Sequence, residues 1–212
     1  MRTKFDAARW LLIAVSALIA VVIGGSLSVL LFGPPGQTRG PAASGSLETI
    51  GTALIGGPFQ MTDHTGRAVD QSLLEGELNL VYFGFTYCPD FCPTELSNMV
   101  DAKQALSERG VDARLIFVTI DPERDTQEIL AEYVDAFDPE MIGLRGDAEQ
   151  TRAIAQAYKV FYRKVTGEDF EGGYTMDHST FVYAMDADGR FITQFGFGAE
   201  PEAIADRLAG AG

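Results

Sequence analysis

Two uninterrupted apolar runs of strand length, Leu78-Asn-Leu-Val-Tyr-Phe-Gly-Phe and Ala113-Arg-Leu-Ile-Phe-Val-Thr-Ile, limit what this chain can fold into more than any other feature. A strand with one wet face alternates apolar with polar residues, so runs that do not alternate belong to central strands covered on both faces. Between them Leu96, Met99, Val100 and Leu106 recur at helical spacing. Pro93 suits the first position of that helix, which leaves Cys92 at its cap. Strand, helix and strand in this order form a βαβ unit, which requires a parallel pair.

The remaining patterns extend the unit. A second helix is expected where Ile129, Leu130, Tyr133, Val134 and Phe137 share a face, and a third where Thr151, Ile154, Ala155 and Tyr158 do. Thr180-Phe-Val-Tyr-Ala-Met-Asp and Arg190-Phe-Ile-Thr-Gln-Phe flank the turn-former-rich Asp186-Ala-Asp-Gly189, a hairpin signal. Pro201 to Leu208 reads as a closing helix. This order of elements is that of a thioredoxin-like α/β domain, beginning near Leu47 and running over residues 47–212.

Ahead of that domain, Trp10 to Phe32 runs 23 residues without a charge. As a helix it would reach about 34 Å, enough to cross the hydrocarbon core of a bilayer. Residues 1–9 carry Arg2, Lys4 and Arg9 against Asp6, which places them in the cytoplasm by the positive-inside rule. The expected organisation is a cytoplasmic N-terminus (1–9), a transmembrane anchor (10–32), a flexible linker rich in Gly, Pro and Ser (33–46) and an exported domain. A cleaved signal peptide is the competing reading, although its apolar region is ordinarily only about 7–15 residues long. The short N-terminus favours a bacterial inner membrane with a periplasmic domain over mitochondrial import. The chain carries 30 acidic against 16 basic residues, a net charge of −14. That balance excludes nucleic acid as a natural partner.

Cys88 and Cys92 are the only cysteines, and they stand four apart at the turn between the first apolar run and its helix. A helix N-terminus favours thiolate, expected here at Cys92, and thiolate both attacks disulfides and binds metal. The pair alone leaves three readings open: a redox dithiol, a metal site, or an inert structural disulfide. An exported domain can hold either redox state. Of the two histidines, His64 reads as a polar turn residue. His178, in a loop just before a strand that should lie beside the dithiol turn, has the context to join the two sulfurs. Two thiolates and one imidazole suit copper, as Cu(I) or Cu(II), whereas structural zinc ordinarily takes four protein ligands. Asp177 is placed to orient His178 or to meet a partner.

Tyr82-Phe-Gly-Phe-Thr-Tyr-Cys88-Pro-Asp-Phe-Cys92-Pro93, then Thr119-Ile-Asp-Pro-Glu-Arg-Asp-Thr126, then Asp177-His178-Ser179 with Tyr183-Ala-Met-Asp186 and Gly189 downstream, resemble the Sco/SenC copper-chaperone family. The resemblance covers about Phe59 to Leu208. It implies a thioredoxin-like fold and one copper ion held by Cys88, Cys92 and His178. It further implies a membrane-anchored protein that assists metallation of the binuclear copper centre of cytochrome c oxidase, by delivering copper, by reducing the client's cysteines, or both. The partner is then the copper-bearing subunit of that oxidase or another exported copper protein.

The main rival is a membrane-tethered periplasmic thiol–disulfide oxidoreductase. Such enzymes have a two-residue spacer and a proline facing the dithiol. Here the spacer is three residues, and no proline occurs from Glu140 to Glu200. Asp177-His178-Ser179 stands where that proline is expected. A peroxidase-like thiol enzyme would recruit Thr86 and Arg124 beside an activated cysteine.

Overall fold

The computed structural model describes residues 55–210. The expected N-terminal tail, anchor and linker, and the first residues of the expected domain, lie outside them. No helix among the described residues is long and apolar enough to cross a membrane.

The two apolar runs form adjacent strands. Strand β3 (Leu78–Gly84) is buried at every position, and it pairs in parallel with β4 (Ala113–Thr119) from Leu78 opposite Ala113 to Gly84 opposite Thr119. One polar side chain, Asn79, is swallowed whole. Its amide donates to the Leu74 and Glu77 carbonyls at 2.7 and 2.8 Å and its oxygen accepts from Arg114, so its burial carries no unpaired group.

Around this pair the sheet grows outwards. Parallel to β4 lies β5 (Ile142–Arg145), and β1 (Gln60–Asp63) and β2 (Ala68–Asp70) form a hairpin that closes that edge antiparallel. On the other side β8 (Val182–Met185) runs antiparallel to β3, followed by β9 (Phe191–Phe195). The order is β2-β1-β5-β4-β3-β8-β9. The expected hairpin at Asp186–Gly189 is therefore present, with Gly189 in the left-handed region at φ 72°. Tyr82 and Phe117 occupy one face of the central pair, while Phe83, Tyr183 and the Tyr158 ring pack on the other.

Among the described residues four α-helices accompany the sheet. The first, α1 (Phe91–Glu108), crosses from β3 to β4 and buries Cys92, Leu96, Met99, Ala102 and Leu106. It starts two residues earlier than the sequence reading placed it. Pro93 sits inside the first turn, where its missing N–H would have had no helical partner in any case. Helix α2 (Gln127–Asp135) is capped by the Thr126 hydroxyl, and α3 (Ala148–Ala157) by a capping box of Asp147 and Gln150. Helix α4 (Pro201–Leu208) has Pro201 in its first turn, as expected, and packs against α1.

One element stands apart from the main sheet. Strands β6 (Tyr162–Thr166) and β7 (Tyr174–His178) pair only with each other, antiparallel, with Tyr162 opposite His178. His178 was expected in a loop, and the structure corrects this: it is the last residue of β7. The strands are only five residues each, and Arg163, Lys164, Thr175 and Asp177 interrupt any apolar pattern.

Candidate metal centre

Cys88 lies within the β3–α1 loop, two residues before the Asp90 cap position, and Cys92 lies in the first turn of α1. Both are free thiols and both are buried. The four-residue spacing lets one helical turn fold back on itself. The Cys92 N–H donates to Cys88 Sγ at 3.3 Å, and other N–H groups of that first turn point at the same sulfur. A sulfur thus fills the role of the N-cap, because the Asp90 side chain makes no capping hydrogen bond.

The location of the charge follows from this. The Cys92 thiol donates to Cys88 and, with the helix N–H groups, pulls the Cys88 pKa down to about 6 against the cost of burial. Cys92 is driven the other way, first by that same hydrogen bond and then by burial. The thiolate therefore sits on Cys88, which corrects the expectation of a thiolate at Cys92. The helix terminus acts on the sulfur at its mouth, whereas Cys92 is already inside the first turn.

Cys92 is held from three sides. Its sulfur receives the Tyr82 hydroxyl at 3.9 Å, and a Cβ on Gly84 would come within 2.9 Å of it. Gly84 is therefore required for close approach of the strand to the sulfur. The third neighbour is His178, whose Nε2 lies 3.8 Å from Cys92 Sγ.

The imidazole is aimed by its own backbone. Nδ1 lies 2.8 Å from the Ser179 carbonyl oxygen, which can only accept, so Nδ1 carries the proton and the Nε2 lone pair faces the sulfur. Tyr82 and Phe85 meet the ring edge-on at 6.2 and 5.9 Å between centroids. Burial lowers the His178 pKa and keeps the ring neutral, opposed by the Ser179 carbonyl and the Asp177 charge. Asp177 itself does not orient the ring. Its exposed carboxylate pairs with Arg163 at 2.9 Å on the facing strand. His64 lies elsewhere, its Nδ1 accepting from the Gly143 N–H.

The segment Thr119–Thr126 explains how the two halves are held in one place. The buried Asp125 carboxylate accepts from the Thr86 N–H, the Thr86 hydroxyl and the Thr119 hydroxyl, anchoring the dithiol loop to the end of β4. Asp121 accepts from Arg124 Nε at 2.6 Å and from the Tyr174 hydroxyl at 2.9 Å. The Arg124 guanidinium stacks on Tyr174 at 3.8 Å and on Tyr87 at 4.7 Å. One arginine thus bridges the cysteine loop and the histidine hairpin. Thr86 and Arg124, the residues a peroxidase-like enzyme would recruit, both take part in holding these segments together.

Sequence reasoning did not find Tyr82, Gly84 or Tyr174 as parts of the site. Nor did it find Glu95, one turn beyond Cys92. Its buried carboxylate accepts from the Gly198 N–H through one oxygen and leaves the other without a hydrogen-bond partner. Only the proximity of Tyr82, Gly84 and Glu95 to the two cysteines could have signalled them.

Two thiols and an oriented imidazole nitrogen form a soft donor set, and Cys88 and His178 open onto a depression lined by Phe85, Pro89, Phe91, Met176 and Phe197. Among the described residues no three His, Cys, Asp or Glu side chains stand at the mutual spacing of a formed metal site.

The SCO1/SenC family model matches residues 47–211. The chain belongs to the SCO1/SenC family. A SCO2-like protein of Rickettsia felis is 41% identical over 156 residues, covering 74% of this chain and 76% of the relative. Among solved structures, Arabidopsis thaliana ScoI with copper bound superposes with a TM-score of 0.71 at 37% identity, covering 74% of this chain and 97% of that one. BsSco, described as a member of the Sco family of cytochrome c oxidase assembly proteins and as having a disulfide switch, gives 0.59 at 25% identity, covering 73% and 92%. In this SCO1/SenC chain the thioredoxin-like α/β architecture expected from element order is thus present.

Proposed function

We propose that this SCO1/SenC protein binds one copper ion through Cys88, Cys92 and His178 and hands it to an exported copper protein, the copper-bearing subunit of cytochrome c oxidase. The observation that carries the reading is the convergence of three donors whose protons are already arranged. Cys88 is ready as thiolate, Cys92 loses its proton on binding, and His178 presents Nε2 because Ser179 occupies Nδ1. Support for copper comes from the bound ion of the ScoI relative, and support for the client from the family to which BsSco is ascribed. The charge-free segment 10–32 is read as a single-pass anchor that holds the domain, from about residue 47, on the periplasmic side of a bacterial inner membrane.

Full-length protein with reduced thiols should bind one copper ion, with sulfur in its X-ray absorption shell. A shell without sulfur, or unchanged binding by Cys88→Ser, contradicts the assignment. Oxidation to a Cys88–Cys92 disulfide should abolish tight binding, since both thiolates are consumed.

Asymmetry within the dithiol favours a second, compatible activity: reduction of the client's cysteines. The Cys88 thiolate attacks the client disulfide, forming a mixed disulfide and releasing one client thiolate. Cys92, deprotonated, then attacks Cys88 Sγ, releasing the second client thiolate and leaving the Cys88–Cys92 disulfide. Two electrons pass to the client. Iodoacetamide should therefore label Cys88 first, with a midpoint near pH 6, while Cys92 stays unlabelled. Equal labelling of both thiols rules this order out.

A further inference from the structure

Six large apolar side chains stand exposed among the described residues: Tyr87, Phe91, Phe161, Phe170, Phe181 and Phe197. Scattered exposed apolar residues are ordinary, but two of these, Phe91 and Phe197, are packed together beside the dithiol. Tyr87 and Phe91 each immediately precede a cysteine of the dithiol. The Ser179 N–H donates to the Phe161 carbonyl and the Phe161 N–H to the Ser179 hydroxyl, two residues before Phe181. Phe170 lies in the connection between β6 and β7, and Phe197 follows β9. Phe91 (56% exposed) and Phe197 (43%) pack edge to face at 5.1 Å and line the depression onto which Cys88 and His178 open.

The charged residues flanking the Phe91–Phe197 rim in sequence, Asp90 and Glu200, are acidic. Arg163 is paired with Asp177, Lys164 with Glu123 and Arg124 with Asp121. Asp90, Asp169 and Glu200, adjacent in sequence to Phe91, Phe170 and the Phe197 loop, have no cationic partner among the described residues. A second copy of a chain of net charge −14 would bring the same acids to the contact, and an anionic bilayer would repel them too. An apolar patch bordered by lysine and arginine is the complement that fits.

We propose that the Phe91–Phe197 rim is the docking face for the copper-receiving protein, which meets it with an apolar patch edged by basic residues. This rests on the copper-delivery reading above. The rim does not hold the ion. Its function is to seat the client so that a client thiolate can reach the depression before the site opens to water.

The test compares two acceptors. Full-length protein in detergent, loaded with Cu(I), is mixed with the metal-free, reduced copper-bearing domain of a cytochrome c oxidase subunit, or with the small chelator bicinchoninate. Phe91→Ser/Phe197→Ser should slow transfer to the protein acceptor by about tenfold or more, the effect of removing central aromatic anchors, and leave transfer to the chelator within about twofold. Raising salt from about 0.05 M to about 0.5 M should slow wild-type transfer to the protein acceptor, and Asp90→Asn/Glu200→Gln should blunt that dependence. If the double aromatic variant does not fold, the charge variant carries the test, because neither carboxylate has a cationic partner to lose.

Equal transfer to the protein acceptor by wild type and variants overturns the docking face while leaving copper delivery intact. A wild type that yields copper to the chelator but never to the protein overturns the delivery reading, and the docking face falls with it. Self-association that the aromatic variant abolishes assigns the rim to a second copy instead, and also overturns the proposal.

Discussion

Cys92 and His178 are 3.8 Å apart, yet the elements that carry them differ in almost every physical respect. The cysteine side is built into the central sheet. Cys92 is fully buried, Gly84 makes room for its sulfur, and the loop before it is fastened by the buried Asp125. The histidine side ends a two-stranded hairpin that pairs with no other strand, and its residues are mostly half-buried or exposed. An isolated hairpin has little stability of its own, so this half depends on the Asp121–Arg124–Tyr174 brace to stay in register with the dithiol. The contrast suits a site that must hold an ion and release it. A rigid pair of thiols sets the position, and a more weakly tethered imidazole completes or opens the set.

The largest effect is expected on the rigid side. Asp125→Ala leaves the partly buried Thr86 N–H and hydroxyl and the buried Thr119 hydroxyl without their acceptor, which should cost about 3 kcal/mol of stability. Denaturant unfolding measures it. A loss below about 1 kcal/mol would mean that the loop is held by packing alone, and the contrast between the two halves would weaken.

Gly84→Ala comes next. The added methyl would press on Cys92 Sγ and the Phe117 ring, each at 2.9 Å, and overpacking of this kind costs about 1–3 kcal/mol. The sulfur should shift with it, so copper affinity should fall together with stability. On the rigid side the two quantities are tied; on the other side they should separate.

His178→Ala tests that separation. From sequence, a loop histidine would be nearly free to truncate. With the ring packed edge-on between Tyr82 and Phe85, the cost rises to about 1–2 kcal/mol, still less than the loss in copper handling. The two remaining thiolates can hold Cu(I) but should hold Cu(II) poorly. Selective loss of Cu(II), with the dithiol still cycling against a mild oxidant, supports the assignment. Unfolding at much lower denaturant than wild type would make His178 a packing residue instead.

The same contrast explains what could be read from sequence. The βαβ unit was legible because Leu78–Phe85 and Ala113–Ile120 are too apolar to be anything but central strands. The spacing of Cys88 and Cys92 and the position of His178 marked the donors. The charge distribution between the two sulfurs was not legible, because it depends on which one lies at the mouth of the helix and which inside it, a difference of one turn. Strands β1, β2, β5, β6 and β7 were missed because three to five residues of mixed polarity carry no clear period. For the same reason His178 read as a loop residue.

The smallest expected effect belongs to Asp177→Asn, on the weakly tethered side. Asp177 and Arg163 are both substantially exposed, so their ion pair should contribute about 0–0.5 kcal/mol. The more informative readout is His178. Burial holds its pKa below the ordinary histidine value and the Asp177 charge opposes that shift, so removing the charge should lower the pKa further. The sign for stability follows by linkage. A histidine whose pKa is depressed on folding binds protons more readily when unfolded, so stability is full above the unfolded pKa and falls as pH drops through that value towards the folded one. The variant should therefore lose slightly more stability than wild type on acidification below about pH 6.5, while matching it above. Imidazole proton shifts followed through a pH titration of the metal-free protein decide the point. An unchanged or raised His178 pKa would show that the Asp177 charge does not reach the ring, leaving the Ser179 carbonyl alone to oppose its desolvation.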